Sequence, residues 1–169
     1  MEYNLYSDPS LFAATPPLEA MRYLIHRAAT NRKGKRHALL TMDVKRAYFN
    51  SEVTSDIFIE IPAEDRVEGD EGKVGKLRLC LYGTRDAAYN WSETVARQLE
   101  SCGYVRGTAF PSVYLRPTKD VAVMVHGDDY LSSGPSEHLR ELKDLISRGG
   151  YGREEGMAKR RVWPKRASS

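Results

Sequence analysis

Asp128 and Asp129 stand side by side where the apolar run Val121-Ala122-Val123-Met124-Val125 ends, and Tyr130-Leu131 resumes it. This is the pattern of a β-hairpin with two carboxylates at its tip. Strand packing does not ask for charge there, since Asp is a poor strand former and is costly to bury unpaired. A second acid, Asp43, closes another short apolar run, Ala38 to Met42, 85 positions before Asp128. Two strands that each deliver an acid at one end can lie side by side and gather three carboxylates. Hard oxygens clustered on a rigid support are what two divalent cations need for nucleotidyl transfer, one activating a hydroxyl and one holding a triphosphate. Taken alone, an acid pair at a turn reads equally well as a solvated hairpin tip.

The elements that must position these acids are legible in the periodicity. After Thr15-Pro16-Pro17, which suits a first helical turn, Leu18, Met21, Leu24, Ile25 and Ala28 recur at helical spacing until Asn31 to Gly34 stops them. Strands are predicted over His37–Val44 and Asp56–Ile61, then an acidic loop over Glu64–Gly75 and a strand over Lys76–Leu81. Ala88, Trp91, Val95, Leu99 and Cys102 form one apolar stripe of a helix over Thr84–Cys102, with Gly103 as its C-terminal cap and Trp91 read as core. Strands over Ser112–Arg116, Val121–His126 and Asp129–Ser132 follow, then a helix over Ser136–Ser147 carried by Leu139, Leu142, Leu145 and Ile146. Helices interrupting an antiparallel sheet predict an α+β domain over residues 15–148, with the helices packed on one face. Residues 1–14 are expected to be extended. The tail, residues 149–169, has few large apolar side chains and is expected to be disordered.

The segment Asp43-Val44-Lys45-Arg46-Ala47-Tyr48-Phe49-Asn50 and the later Asp128-Asp129 resemble the palm motifs of copia-type retrotransposon reverse transcriptases. Leu79-Cys80-Leu81-Tyr82-Gly83-Thr84-Arg85-Asp86-Ala87-Ala88-Tyr89-Asn90-Trp91 is similar to the family's Ser-Leu-Tyr-Gly-Leu-Lys-Gln-Ala-Pro-x-x-Trp. Ile57 to Pro62 resembles Ile-Tyr-Met-x-x-Pro, and Gly103-Tyr104 through Tyr114 resembles Gly-Phe followed by Asp-x-x-Leu-Tyr. The resemblance runs from Thr15 to Ile146 in the family's order. It implies a polymerase palm-like antiparallel sheet with the acids at one edge, and RNA-directed DNA polymerase activity. The implied partners are an RNA or DNA template with primer, deoxynucleoside triphosphates and the remaining segments of a Pol polyprotein. By this resemblance Asp43, Asp128 and Asp129 are the catalytic, metal-holding carboxylates, with Mg2+ as cofactor and Mn2+ able to replace it. Val44, Tyr48 and Gly83 are the implied nucleotide-binding residues, Tyr48 excluding a 2′-hydroxyl and Gly83 letting the backbone approach the base pair.

Departures from the family pattern are His126 in place of Tyr, Gly127 in place of a larger apolar residue, Asp86 in place of Gln and Ala88 in place of Pro. His126 is expected to alternate away from the acids. The family's basic Lys-x-Arg-Leu-Val-like strand has no match in Met1 to Ala14, and Gly149 to Ser169 matches neither a thumb nor a ribonuclease H domain. The chain therefore reads as a palm core truncated at both ends, weak or inactive alone. Arg32, Lys33, Lys35 and Arg36 read as a solvated basic loop.

At 169 residues and 41% hydrophobic, the chain can bury a real core. No apolar run approaches the ~20 residues that cross a bilayer, and Met1 to Ser10 is no secretory leader. Cys80 and Cys102 have neither a disulfide framework nor zinc spacing. The expectation is an intracellular protein, not secreted, with cytoplasm and nucleus equally open and no membrane partner. The net charge of +3 divides unevenly: from Arg148 onward it is +5, which leaves the body at −2. Nucleic-acid affinity depends on cations against phosphates, so Lys159, Arg160, Arg161, Lys165 and Arg166 are the candidate nucleic-acid contacts. Two other readings stay open: a non-catalytic remnant that only binds nucleic acid, and a folding relic without activity.

Overall fold

Helix α1 (Leu18–Ala29) begins where Pro17 fixes an extended backbone, and no side chain caps it, so the Thr15 hydroxyl is not used as a cap. Its buried face is Ala20, Leu24 and Arg27; of the predicted stripe Leu24 is buried and Ala28 half-buried, while Leu18, Met21 and Ile25 are 49%, 38% and 47% exposed. The cause is Arg27. Its Nη2 donates to Asp120 Oδ1 at 2.8 Å and to the Asp120 carbonyl at 3.0 Å, and its Nε donates to Ser133 Oγ at 3.2 Å. These fixed acceptors draw a charged residue beneath the helix, and the apolar side chains turn outward. His37, also buried, joins with Nε2 at 3.2 Å from Asp120 Oδ2. The computed structural model describes residues 13–32, 34–148 and 162–164.

A six-stranded antiparallel sheet follows, in the order β1-β2-β8-β7-β6-β5. Its strands are β1 (Asn31–Arg32), β2 (Lys35–Asp43), β5 (Val105–Arg106), β6 (Val113–Arg116), β7 (Val121–His126) and β8 (Asp129–Pro135). Asn31 and Arg32 pair with Arg36 and Lys35, so the basic segment read as a loop is a tight hairpin. Alternation along β7 sorts the two faces. Val121, Val123 and Val125 join the main core with Trp91, Val95 and Leu99 of α2 (Ala87–Ser101) and Leu139, Leu142 and Ile146 of α3 (Ser136–Arg148). Ala122 and Met124 face the other way, against Ala20 and Leu24 of α1. The fold is thus α+β, with α2 and α3 on one face as expected and α1 adding a thinner layer on the opposite face. Burying a side chain such as Leu24 or Leu142, each 1% exposed, contributes about 1.5–3 kcal/mol.

Helix α2 ends as predicted. Gly103 has φ +83°, its N–H donates to the Glu100 carbonyl at 2.9 Å, and the Tyr104 N–H donates to the Leu99 carbonyl at 3.1 Å, the two bonds of a Schellman cap.

A second, three-stranded sheet lies apart: β3 (Phe58–Glu60), β4 (Lys73–Lys76) and β9 (Val162–Pro164), in the order β3-β4-β9. Its middle strand lies over the end of the predicted loop and meets the predicted strand Lys76–Leu81 only at Lys76. Pairing decides this, since Phe58, Ile59 and Glu60 meet Lys76, Gly75 and Val74, and beyond them only Leu79 forms a bridge, with Glu52. The tail expected to be disordered lies outside the described residues apart from Val162–Pro164, which pair with Lys73–Gly75. Of the expected extended segment 1–14, residues 1–12 likewise lie outside them.

Candidate active site

Strand β2 ends on Asp43, and strand β8 begins on Asp129. The register of the β2–β8 ladder sets these two residues directly opposite each other. The next residue, Val44, donates its N–H to the Asp128 carbonyl at 3.0 Å, so the ladder closes on the turn itself. The backbone positions of Asp43 and of the Asp128-Asp129 pair, which begins 85 positions later, therefore lie at one end of the sheet. Strand parity fixes their faces. Asp129 shares its face with Leu131, which packs toward α1, and Asp43 shares that face through the pairing. Both are exposed and Asp128 is half-buried.

The turn is a two-residue hairpin loop, Gly127-Asp128, flanked by the pair His126 and Asp129. Gly127 has φ +60°, and an added Cβ there would meet nothing within 4 Å, so glycine serves the backbone angle and not a close approach. His126 does not alternate away from the acids. Cross-strand pairing places it beside Asp129 on the same face, so His126, Asp129 and Asp43 form a row across β7, β8 and β2.

Among the described residues, no three His, Cys, Asp or Glu side chains are already gathered as a metal cage. The donor set nevertheless suits a hard divalent cation. Three carboxylates reachable from solvent match Mg2+, which keeps several of its own waters and needs only one or two protein carboxylates.

Behind the acids, Arg46 adopts a left-handed backbone (φ 54°) and leads into a 3-10 turn over Ala47–Asn50. That turn presents Tyr48, whose ring centroid lies 4.5 Å from that of Tyr82, while Phe49 meets the same Tyr82 edge-on at 5.8 Å. Burial, and after it the Asp128 carboxylate and Tyr82, hold the Tyr48 phenol above its ordinary range, so it stays protonated beside the acids at neutral pH. Val44 is placed differently. Its side chain is 4% exposed within the main core, so it serves the site through its N–H. Gly83 occupies the third position of a turn closed by the Thr84 N–H on the Leu81 carbonyl at 3.0 Å, where its φ of +90° is required. Space above it is open. Lys159, Arg160, Arg161, Lys165 and Arg166 lie outside the described residues.

Three contributors were not legible as site residues. Tyr82, 49% exposed, completes the aromatic group beside Tyr48, and its place next to Gly83 was the available signal. Trp91, read only as core, is 1% exposed and also donates its indole N–H to the Gly127 carbonyl at 2.7 Å. No local pattern announces a bond across 36 positions. Asp86 holds the start of α2: its Oδ2 accepts from Thr54 Oγ1 (3.2 Å), Ser55 Oγ (3.0 Å) and Asn90 Nδ2 (3.1 Å).

Comparison with known proteins identifies a family. The family model described as reverse transcriptase (RNA-dependent DNA polymerase) matches residues 5–149. A putative transposon Ty5-1 protein of Saccharomyces cerevisiae is 29% identical over 119 residues, covering 66% of this chain and 39% of its own length. A retrovirus-related Pol polyprotein from transposon TNT 1-94 of Nicotiana tabacum is 27% identical over 111 residues, covering 63% of this chain and 8% of its own length. The chain thus spans well under half the length of either relative. No solved structure gives a significant match. Among the described residues, no helix is long and apolar enough to cross a membrane.

Proposed function

This chain belongs to the reverse transcriptase family, in its copia-type retrotransposon branch, and on that premise we propose that it is the palm region of an RNA-directed DNA polymerase acting by two-metal nucleotidyl transfer. The observation that carries this reading is the register that sets Asp43 against Asp129, with the Val44 N–H on the Asp128 carbonyl at 3.0 Å. A β2–β8 ladder shifted by one residue would send Asp43 to the other face of the sheet.

Asp43 and Asp128 are the residues that would hold the ions, with Asp129 beside them. Mg2+, or Mn2+ in its place, supplies charge that lowers the pKa of a primer hydroxyl and neutralises a triphosphate. The chain's own residues do the rest. Tyr48, supported by Tyr82 and Phe49, forms a wall that leaves no room for a 2′-hydroxyl. Gly83 keeps the backbone low where a base pair would lie. The body, at net −2, is poorly supplied with phosphate contacts, and the basic tail from Lys159 to Arg166 supplements it. The isolated chain is therefore expected to extend a primer weakly, and full activity to require the neighbouring parts of a longer Pol polypeptide.

Primer extension with Mg2+ and with Mn2+, on this chain and on a longer one carrying those parts, tests the reading. Extension that disappears in Asp43→Asn and Asp128→Asn is the expected result. Extension that survives either substitution would remove these carboxylates from the chemistry.

A further inference from the structure

We infer that Trp91 is a positioning residue that selects the conformation of the catalytic turn. The inference rests on the reading of Asp128 as a catalytic carboxylate. A two-residue hairpin loop has two standard forms, I′ and II′, which differ by rotation of the peptide between its two central residues. Here that peptide is Gly127 C=O to Asp128 N–H. Gly127 has positive φ, and among the described residues only Arg46 and Asp120 are non-glycine residues that do, so the turn has the II′ pattern. Rotating the peptide would carry Asp128 to positive φ, a region that Asp tolerates better than most residues. The sequence Gly-Asp therefore admits both forms, and they aim the Asp128 carboxylate differently.

Packing beneath the turn does not decide between them. A pocket of about 40 Å³, lined by Tyr48, Trp91, Ser112, Tyr114, Val125 and Gly127, lies under the loop. Ser112 Oγ is buried beside it without a protein partner among the described residues. What holds the central peptide is the indole N–H of Trp91, 2.7 Å from the Gly127 carbonyl oxygen. The indole itself cannot follow a rotating peptide, because it is 1% exposed in the core with Val95, Leu99, Tyr114 and Val125. A buried indole N–H needs an acceptor, and rotation would take this one away. Helix α2 thereby fixes the aim of Asp128.

The test compares the full chain with Trp91→Phe, which keeps a ring in the core and removes the donor. Backbone chemical shifts of Gly127 and Asp128 read the turn conformation directly, with or without metal. One set of II′ shifts is expected in the parent, and shifted or exchange-broadened signals at these two residues in the variant. Affinity for Mn2+ is expected to fall about fivefold to tenfold, the scale of one neutral hydrogen bond. Unchanged Gly127 and Asp128 shifts, or a variant that melts lower yet binds Mn2+ as the parent does, would make Trp91 a core residue only. Should Trp91→Phe fail to fold, exchange of the Trp91 indole proton in the parent decides. Slow exchange that changes on adding Mn2+ supports the coupling, and exchange indifferent to Mn2+ overturns it. A parent chain that binds no Mn2+ counts against the proposed metal site alone, since the turn shifts of the variant still decide the role of Trp91.

Discussion

Replacing Arg27 with Met should destabilise the fold by about 3 kcal/mol without touching the candidate active site. The side chain is 5% exposed and donates to four acceptors: Asp120 Oδ1, the Asp120 carbonyl, Ser133 Oγ and Tyr23 Oη. Met fills the stem's volume, so little apolar contact is lost. The main cost is the loss of the guanidinium from the Asp120 carboxylate, which keeps His37 Nε2 at 3.2 Å from its Oδ2. Breaking a buried pair costs about 3–5 kcal/mol. Asp120 keeps 20% of its side chain in water, which places the expectation at the lower end. For a domain of this size that amounts to a Tm drop of about 6–12 °C. Urea denaturation followed by far-ultraviolet circular dichroism measures it. The double variant Arg27→Met/Asp120→Asn should recover part of the loss, because it also removes the carboxylate charge that the guanidinium faced. Mn2+ affinity of the folded variant should be unchanged, since Asp120 precedes β7 and the Gly127-Asp128 turn follows that strand's other end. A single-variant loss below about 1 kcal/mol, or strict additivity in the double variant, would refute the argument that this ion pair holds α1 in place.

Asp128→Asn should raise the Tm of the metal-free protein by removing one of the like charges at this end of the sheet, and abolish stabilisation by Mg2+; an unchanged Mg2+ shift in the variant would place the ion elsewhere. Burial pushes the Tyr114 phenol from 10.0 up to about 12. Its contribution is therefore complete below the unfolded-state pKa and is lost as pH rises through about 10 to 12, by about 2–3 kcal/mol. Tyr114→Phe should flatten alkaline unfolding in that window, and an identical pH profile would refute the assignment. A Cβ at Gly107 would lie 2.7 Å from the Phe110 carbonyl oxygen and 3.1 Å from that of Val113, so Gly107→Ala should cost about 1–3 kcal/mol by urea denaturation; a neutral result would show that the Phe110 turn gives way freely. Deleting residues 149–169 should leave the main sheet folded and severely weaken salt-dependent binding to primer–template in a fluorescence titration; undiminished binding would locate a cationic groove in the body.

The pairing of the acid-bearing strand ends was legible because each strand carries its own signal, an apolar run that closes on an acid, and two such runs have few ways to pair. The capping of α2 by Gly103 was legible for the same local reason. The buried face of α1 was not, because the deciding contact is an ion pair between Arg27 and Asp120, and apolar periodicity is blind to a paired charge. Strand β4 was displaced from its predicted place because pairing with β3, not composition, chooses which residues of a polar stretch become a strand. The second duty of Trp91 was hidden by its first: helical spacing accounts fully for a core tryptophan, and its hydrogen bond needs the tertiary structure. His126 was misplaced because its parity was counted against Asp128, which lies in the turn, when its strand partner is Asp129.

The pairing of β2 with β8 also bears on how the chain folds. The β7–β8 hairpin is local and needs only a two-residue loop, so it can form early, on the microsecond scale of isolated hairpins. Asp43 reaches it only when a loop of some 85 residues has closed, and that entropic toll must be met before the ladder returns any of it. On a chain emerging from the ribosome, β2 waits, with its neighbouring edge unpaired, until α2 and both hairpin strands have been made. The acid-bearing strand ends are therefore brought side by side late in folding, and the interval before that closure is when the exposed edge of β2 is most open to pairing with another chain.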